Sequence, residues 1–324
     1  MFEWLGPFGN ALILLVTLFI LDRSSDLAVE NAVRVADITG LGKTVVGFIL
    51  VAMTTTLPEL SVSVLVAVGL EDVGVAVGNA LGSNIVNICL ILGLTFLIVS
   101  LIRKRGAHLE VKEEVETLYF GLFMASMVPL ILIYVGYVSR IVGCSLIALF
   151  IYNLYRVSRK RRIENADAQD GRDDKLARHV LLTIIGVFIL IVSASIFVNS
   201  ASYIAEYMGI PKVVIGATIV AFGTSLPEFA NSLKSSLKGH AELALGNIVG
   251  SCFMNVTLIL GTALIGQNFR VNMAAFTGLA VYALISCLLL WYFISSKRIS
   301  WKEGAILLSL YLIFLVEILG GYRE

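Results

Sequence analysis

The chain has 324 residues, of which 58% are hydrophobic and only 15% charged, with a mean hydropathy of +0.92. A soluble domain carries nearer a quarter charged residues, and the formal net charge of +1 says little, because the distribution of charge matters more in a membrane. Apolar runs of the length needed to cross a hydrocarbon core, roughly 20 helical residues, are continuous and do not alternate with period two, so the expected fold is all-α and polytopic, not a membrane β-barrel.

The first ten residues, MFEWLGPFGN, hold no Lys or Arg, so the expectation is a retained first span instead of a cleaved signal. Hydropathy then predicts ten spans, at 8–36, 42–69, 72–98, 115–135, 138–157, 177–207, 212–236, 241–266, 271–294 and 301–320. The first span carries a polar portion, Asp22, Arg23, Asp26, Glu30 and Asp37, and the sixth carries Ser193, Ser195, Asn199, Ser202 and Glu206. Two readings stand: a helix end that enters water or lies along other helices, or a helix that lines a wet path. The polar stretch after the fifth span, with SRKRRIENADAQDGRDDK inside it, predicts a linker at 158–176 between halves 1–157 and 177–324.

Positive charge orients the spans. With the N-terminus outside, one side receives Arg34, Lys43, Arg103, Lys104, Arg105, Lys112, the cluster between Arg156 and Arg178, Lys234, Lys238, Lys297, Arg298 and Lys302. The other receives Arg140, Lys212, Arg270 and Arg323. The linker is therefore expected in the cytoplasm of a cell-membrane protein and both termini outside. Orientation alone explains the basic clusters 103–105 and 159–162.

The halves repeat. Shifted by 169, Val45–Glu59 matches Val214–Glu228 at 8 of 15 positions, and shifted by 168, Gly78–Gly93 matches Gly246–Gly261 at 9 of 16. The repeats thus cover about 45–93 and 214–261. Each half has an odd number of spans, so the second copy enters the membrane from the opposite side, a recurrent basis for alternating access.

The chemistry concentrates in these repeats. VAMTTTLPE, residues 51–59, and VAFGTSLPE, residues 220–228, put a proline and a glutamate in mid-span, where a carboxylate is expensive and marks function. Pro58 removes the helical donor of the Thr54 carbonyl, and Pro227 that of Gly223. Thr55 and Glu59 share a helix face, as do Thr224 and Glu228. Carboxylate, hydroxyl and loosened carbonyls are hard oxygen donors, suited to Ca²⁺ or Na⁺ and not to Zn²⁺ or Cu⁺. In GNALGSNIVN, residues 78–87, and GNIVGSCFMN, residues 246–255, the pairs Ser83/Asn87 and Ser251/Asn255 also share faces. Gly78/Gly82 and Gly246/Gly250 have the spacing of close helix packing. The cysteines, Cys89, Cys144, Cys252 and Cys287, sit in apolar stretches without CxxC spacing and read as packing residues.

These four motif copies resemble the α-repeats of the sodium/calcium exchanger family, prokaryotic type, within the calcium:cation antiporter superfamily, and the resemblance spans essentially the whole chain. It implies Ca²⁺ export driven by Na⁺ entry through a midplane site, with both ions as cargo and no organic cofactor. It implies Thr55, Glu59, Thr224 and Glu228 as Ca²⁺ ligands. Ala52 and Ala221 carbonyls, Thr56, Ser225, Ser83 and Ser251 would hold Na⁺ at flanking sites, with Asn87 and Asn255 lining the middle. Two departures stand out: Thr54 replaces the usual Gly of the motif, and Asn255 stands where some relatives have Asp.

Two carboxylates are neutralised by one Ca²⁺, two Na⁺ or two protons, so H⁺/Ca²⁺ exchange stays open beside Na⁺/Ca²⁺ exchange. A cation channel is disfavoured by the inverted halves. An intramembrane hydrolase is disfavoured because His108, His179 and His240 fall at span ends or loops, and no GxxxxGK[ST] phosphate loop is present. The expected setting is a lipid bilayer, with a monomer as the simplest state and no nucleic-acid partner.

Overall fold

The computed structural model describes residues 5–40, 43–68, 73–102, 109–110, 116–138, 140–162, 173–209, 225–266, 271–272, 276–296 and 298–321. They form ten helical rods in chain order. The first, α1, is Gly6–Thr39. The second, α2, covers residues 43–67: Lys43–Val46 continues through a π-wound Gly47–Val51 and through Ala52–Thr55, breaks at Thr56, and resumes as Leu57–Ala67. The third, α3, covers residues 73–102, with a π-wound stretch at Val86–Leu92. Then come α4 at Glu116–Val135, α5 at Arg140–Arg162 and α6 at Asp173–Tyr207. Helix α7 is described over Leu226–Leu237, and its expected first part, 212–224, lies outside the described residues. Helix α8 covers residues 241–266 with a π-wound Asn255–Ile259, and α9 and α10 are Thr277–Ser295 and Trp301–Gly321.

Two boundaries differ from the sequence expectation. The linker, expected at 158–176, is helical at both ends, because α5 runs to Arg162 and α6 starts at Asp173. The basic run closing α5 and the two aspartates opening α6 each complement the helix dipole, which favours extension into water. The ninth span starts at Thr277 and not at 271, because Val271–Asn272 is drawn into a short ribbon.

That ribbon is one of two. Strand β1, Leu109–Glu110, lies between α3 and α4, and β2, Tyr137–Val138, between α4 and α5. Strand β3 is Val271–Asn272, between α8 and α9, and β4 is Arg298–Ile299, between α9 and α10. β1 pairs antiparallel with β4, and β2 with β3. The two ribbons cap opposite ends of α4. The α3–α4 connection and its repeat mate, the α8–α9 connection, therefore lie at opposite ends of the bundle. The two halves are inverted, as the odd span count requires.

The bundle is apolar on its outer surface, and its largely apolar interior also holds polar side chains. Phe8, Phe188, Tyr292 and Val316 are exposed, while Thr55, Glu59, Ser63, Asn84, Asn231, Glu228, Asn247 and Asn255 are buried. The stretches Ala76–Ile102, Leu176–Ala201, Ala241–Gly266 and Thr277–Ser295 are each long and apolar enough to cross a membrane. Helix α8 is the central rod, with every residue from Ala241 to Met254 buried. Its Phe253 ring meets Phe48 of α2, Phe120 of α4 and Phe150 of α5, at centroid distances of 5.8, 6.4 and 6.3 Å. One aromatic of the second half thus anchors three helices of the first.

The acidic face of α1 lies along α7. Lys234 Nζ reaches Asp22 at 2.5 Å and Asp26 at 3.2 Å, and Lys238 Nζ reaches Asp26 at 2.6 Å and Glu30 at 2.8 Å. This agrees with the first of the two readings, a polar stripe satisfied by a neighbouring helix. The pairs are partly solvated, so each contributes up to about 1 kcal/mol.

Glycine decides how closely α2 and α8 cross. A Cβ on Gly250 would sit 2.8 Å from the Phe48 carbonyl oxygen and 2.8 Å from Ala52 Cβ, and one on Gly47 would sit 2.4 Å from the Leu243 carbonyl oxygen. The close-packing reading of GxxxG therefore holds at Gly250. Gly78 and Gly82 meet nothing within 4 Å among the described residues. Gly250→Ala must push backbone against backbone, and overpacking of this kind costs about 1–3 kcal/mol. Thermal unfolding in detergent is expected to drop for Gly250→Ala and to stay unchanged for Gly278→Ala, where a Cβ meets nothing.

Candidate cation site

Glu59 follows a helix break and Glu228 a helix start at matching positions. At Thr56 the backbone turns to φ −82°, ψ 7°, and at its repeat mate Ser225 to φ −96°, ψ 8°. These values lie in the sparsely allowed bridge region, which recurs at functional sites. Each proline then stands in the first turn of the resumed helix, where its missing N–H costs least. The break therefore follows from sequence, and it places Glu59 and Glu228 at the start of a helix, whose dipole favours a carboxylate.

The carboxylates are driven inward. Glu59 is 2% exposed and Glu228 is fully buried. They are near enough to interact across the two halves. Glu59 Oε2 and both oxygens of Glu228 have no hydrogen-bond partner among the described residues. The same holds for Ser225 Oγ, Ser251 Oγ, Asn87 Oδ1, Asn255 Oδ1 and Ser63 Oγ. A buried polar group without a partner costs about 1–3 kcal/mol. Oxygens of this kind on α2, α3, α7 and α8 are hard donors, of the chemistry that suits Ca²⁺ or Na⁺. Among the described residues no three His, Cys, Asp or Glu side chains could hold a metal together, in keeping with a site of two carboxylates and neutral oxygens.

Other members of the expected set are already bonded. Thr55 Oγ1 donates at 3.3 Å to both the Ala52 carbonyl and Asn247 Oδ1. Thr56 Oγ1 donates to the same Ala52 carbonyl at 2.9 Å, and the Thr56 N–H does so at 3.0 Å. Asn255 Nδ2 donates to Asn84 Oδ1 at 2.9 Å, and Asn84 Nδ2 donates to the Cys252 carbonyl at 3.3 Å. This turns the Asn255 amide so that its oxygen is left over. Ser83 is buried on α3. Ala221 and Thr224, expected in the site, lie outside the described residues, as does Gly223.

Thr54, the departure at the break, turns its hydroxyl back onto its own helix, donating to the carbonyls of Leu50 at 2.8 Å and Val51 at 2.9 Å. It adds no donor to the site. Sequence reasoning passed over Ser63, Asn84, Ser232 and Asn247. The signal was present: Ser63 and Ser232 each stand four residues after a glutamate, and Asn79 and Asn247 follow the first glycine of each GNxxGS motif. Cys89, Cys252 and Cys287 are free and buried in the apolar core, as packing residues should be, while Cys144 is exposed.

A family model described as sodium/calcium exchanger protein matches residues 9–159 and 178–320. The chain is 32% identical over 307 residues to an uncharacterized membrane protein of Methanocaldococcus jannaschii, covering 95% of this chain and 97% of that protein. It is 30% identical over 357 residues to the sodium/calcium exchanger MaX1 of Methanosarcina acetivorans, again covering 95% and 97%. The solved structure of the sodium-calcium exchanger NCX_Mj soaked with zero Na⁺ and Ca²⁺ superimposes with a TM-score of 0.81 at 28% identity, covering 95% of this chain and 98% of that one.

The Asn255 bond makes the site's charge testable. In Asn255→Asp the donor to Asn84 is lost and a carboxylate oxygen faces the Asn84 oxygen, while a third buried carboxylate joins the pair. The variant is expected to lose about 1–3 kcal/mol of stability without divalent cation and to gain more from added Ca²⁺ than the wild type does. Melting with and without Ca²⁺ reads both signs.

Proposed function

We propose that this chain, which belongs to the sodium/calcium exchanger family, exchanges Na⁺ for Ca²⁺ across a membrane by alternating access to one site. It is a multi-pass membrane transporter and not an enzyme. The observation that carries the reading is the pair of buried glutamates, one from each inverted half, whose oxygens lack protein partners among the described residues.

Charge sets the mechanism. The two carboxylates are balanced by one Ca²⁺ or by two Na⁺, and a third Na⁺ leaves the loaded site at +1, which makes the exchange electrogenic. A balanced site can be sealed from water, whereas an empty one holds two like charges in a dry medium. Sealing is therefore allowed when cargo is bound and resisted when it is not, which couples the two fluxes without ATP. Thr55, Glu59, Thr224 and Glu228 hold Ca²⁺. Na⁺ takes flanking positions on the carbonyls of Ala52 and Ala221 with Thr56, Ser83, Ser225 and Ser251, and Asn87 and Asn255 line the middle. The Ala52 carbonyl already accepts from Thr56, so a Na⁺ there displaces the Thr56 hydroxyl proton and takes that oxygen too. Each half, 1–157 and 177–324, supplies one repeat. The excess of Lys and Arg places the linker in the cytoplasm and both termini outside. The two halves complete the site within one chain, so a monomer suffices. The exchanger relatives favour Na⁺ over protons as the driving ion.

In proteoliposomes, Glu59→Gln and Glu228→Gln are each expected to reduce Na⁺-driven ⁴⁵Ca²⁺ uptake to the level of protein-free vesicles, while the purified variants stay monodisperse. Wild-type exchange by both variants would remove the glutamates from the site. Uptake that followed a pH gradient and ignored Na⁺ would replace the counter-ion by protons.

A further inference from the structure

Asn247 has no role in the site as described above, yet it is 1% exposed and bonded on both ends of its amide. Its Nδ2 donates to Ser232 Oγ at 3.2 Å, and its Oδ1 accepts from Thr55 Oγ1 at 3.3 Å. The amide thus turns its nitrogen to Ser232 and its oxygen to Thr55. Among the described residues the one proton of the Thr55 hydroxyl has two hydrogen-bond acceptors at equal distance, Asn247 Oδ1 and the Ala52 carbonyl. A hydroxyl that binds a cation must aim its lone pairs at the ion and its proton away from it. If the proton goes to the Ala52 carbonyl, it occupies an oxygen that a cation needs. If it goes to Asn247, the lone pairs of the hydroxyl are turned toward the ion and the Ala52 carbonyl keeps only its bonds from Thr56.

We infer that Asn247, held by Ser232, is a positioning residue that takes the Thr55 proton and so presents the Thr55 hydroxyl to the cation. This rests on the reading of Thr55 as a cation donor. The three members come from different rods: Thr55 from α2, Ser232 from α7 and Asn247 from α8. The acceptor that orients a ligand of the first half thus belongs to the second half, and a shift of α2 against α8 reorients the hydroxyl. The same residue types recur in the other repeat, with Thr224, Asn79 and Ser63 at shifts of 169, 168 and 169. Thr224 lies outside the described residues. Asn79 Nδ2 and Ser63 Oγ have no partner among the described residues, so the bond that fixes Asn247 is not made by its mate.

A double-mutant cycle on equilibrium ⁴⁵Ca²⁺ binding separates this role from packing. Asn247→Ala is expected to raise the Ca²⁺ half-saturation ~10-fold, about the worth of one hydrogen bond to a polarised group. Ser232→Ala, which leaves the acceptor in place but unfixed, should raise it less. Thr55→Val should weaken binding by itself, and Asn247→Ala or Ser232→Ala should add no further loss on that background. A full additive loss would show that Asn247 acts through something other than Thr55 and would overturn the inference while leaving the site intact. Wild-type binding by Asn247→Ala would overturn it too. Unchanged binding by Thr55→Val would instead remove Thr55 from the site, and the inference with it. Should Asn247→Ala fail to fold, the cycle between Ser232→Ala and Thr55→Val carries the same test.

Discussion

Two buried carboxylates, one from each half, repel each other when both are ionised, and this constraint organises the rest of the molecule. Each glutamate stands in the first turn of a helix, beside a proline whose missing N–H is tolerated there. The backbone at Thr56 and at Ser225 has nearly the same angles, because the same sequence meets the same requirement twice. Among the described residues the oxygens around them lack hydrogen-bond partners, as a site built for a positive charge would leave them. In the proposed mechanism the burial of the carboxylates, a cost to folding, is the means by which cargo controls occlusion.

The inverted architecture supplies the second element. Two ribbons, β1 with β4 and β2 with β3, tie each half to the other at opposite ends of the bundle. The Phe253 ring and the close crossing at Gly250 hold α8 against helices of the first half. The site itself sits where α2 and α7 meet α3 and α8. Small, hydroxyl and amide residues dominate there because van der Waals contact and interhelical hydrogen bonds replace the hydrophobic drive between helices in lipid. The ion pairs joining α1 to α7 lie at the periphery and are partly solvated.

Much of this was legible in the sequence, for identifiable reasons. Hydropathy gives the rods because lipid imposes a length, and the duplicated LPE motifs expose the site because a mid-span glutamate has few other uses. The π-wound stretches that start at Val86 and Asn255 fall within one residue of matched positions. What stayed hidden depends on partners distant in sequence. The Asn84–Asn255 bond and the chain from Ser232 through Asn247 to Thr55 join residues whose types suit many roles, and only packing selects the partner. The acidic stripe of α1 left two readings open until Lys234 and Lys238 were seen beside it. The ribbon that delays α9 to Thr277 rests on two residues per strand, too few to leave a periodic signal.

The central claim is that one pair of glutamates serves both ions in turn. Its most direct measurement is equilibrium ⁴⁵Ca²⁺ binding to the purified protein against rising Na⁺ at fixed pH. The account predicts competitive displacement, with Na⁺ raising the Ca²⁺ half-saturation without lowering the number of sites, and loss of high-affinity binding in Glu59→Gln and Glu228→Gln alike. Ca²⁺ binding that persists unchanged at saturating Na⁺, or that survives removal of either carboxylate, would contradict it.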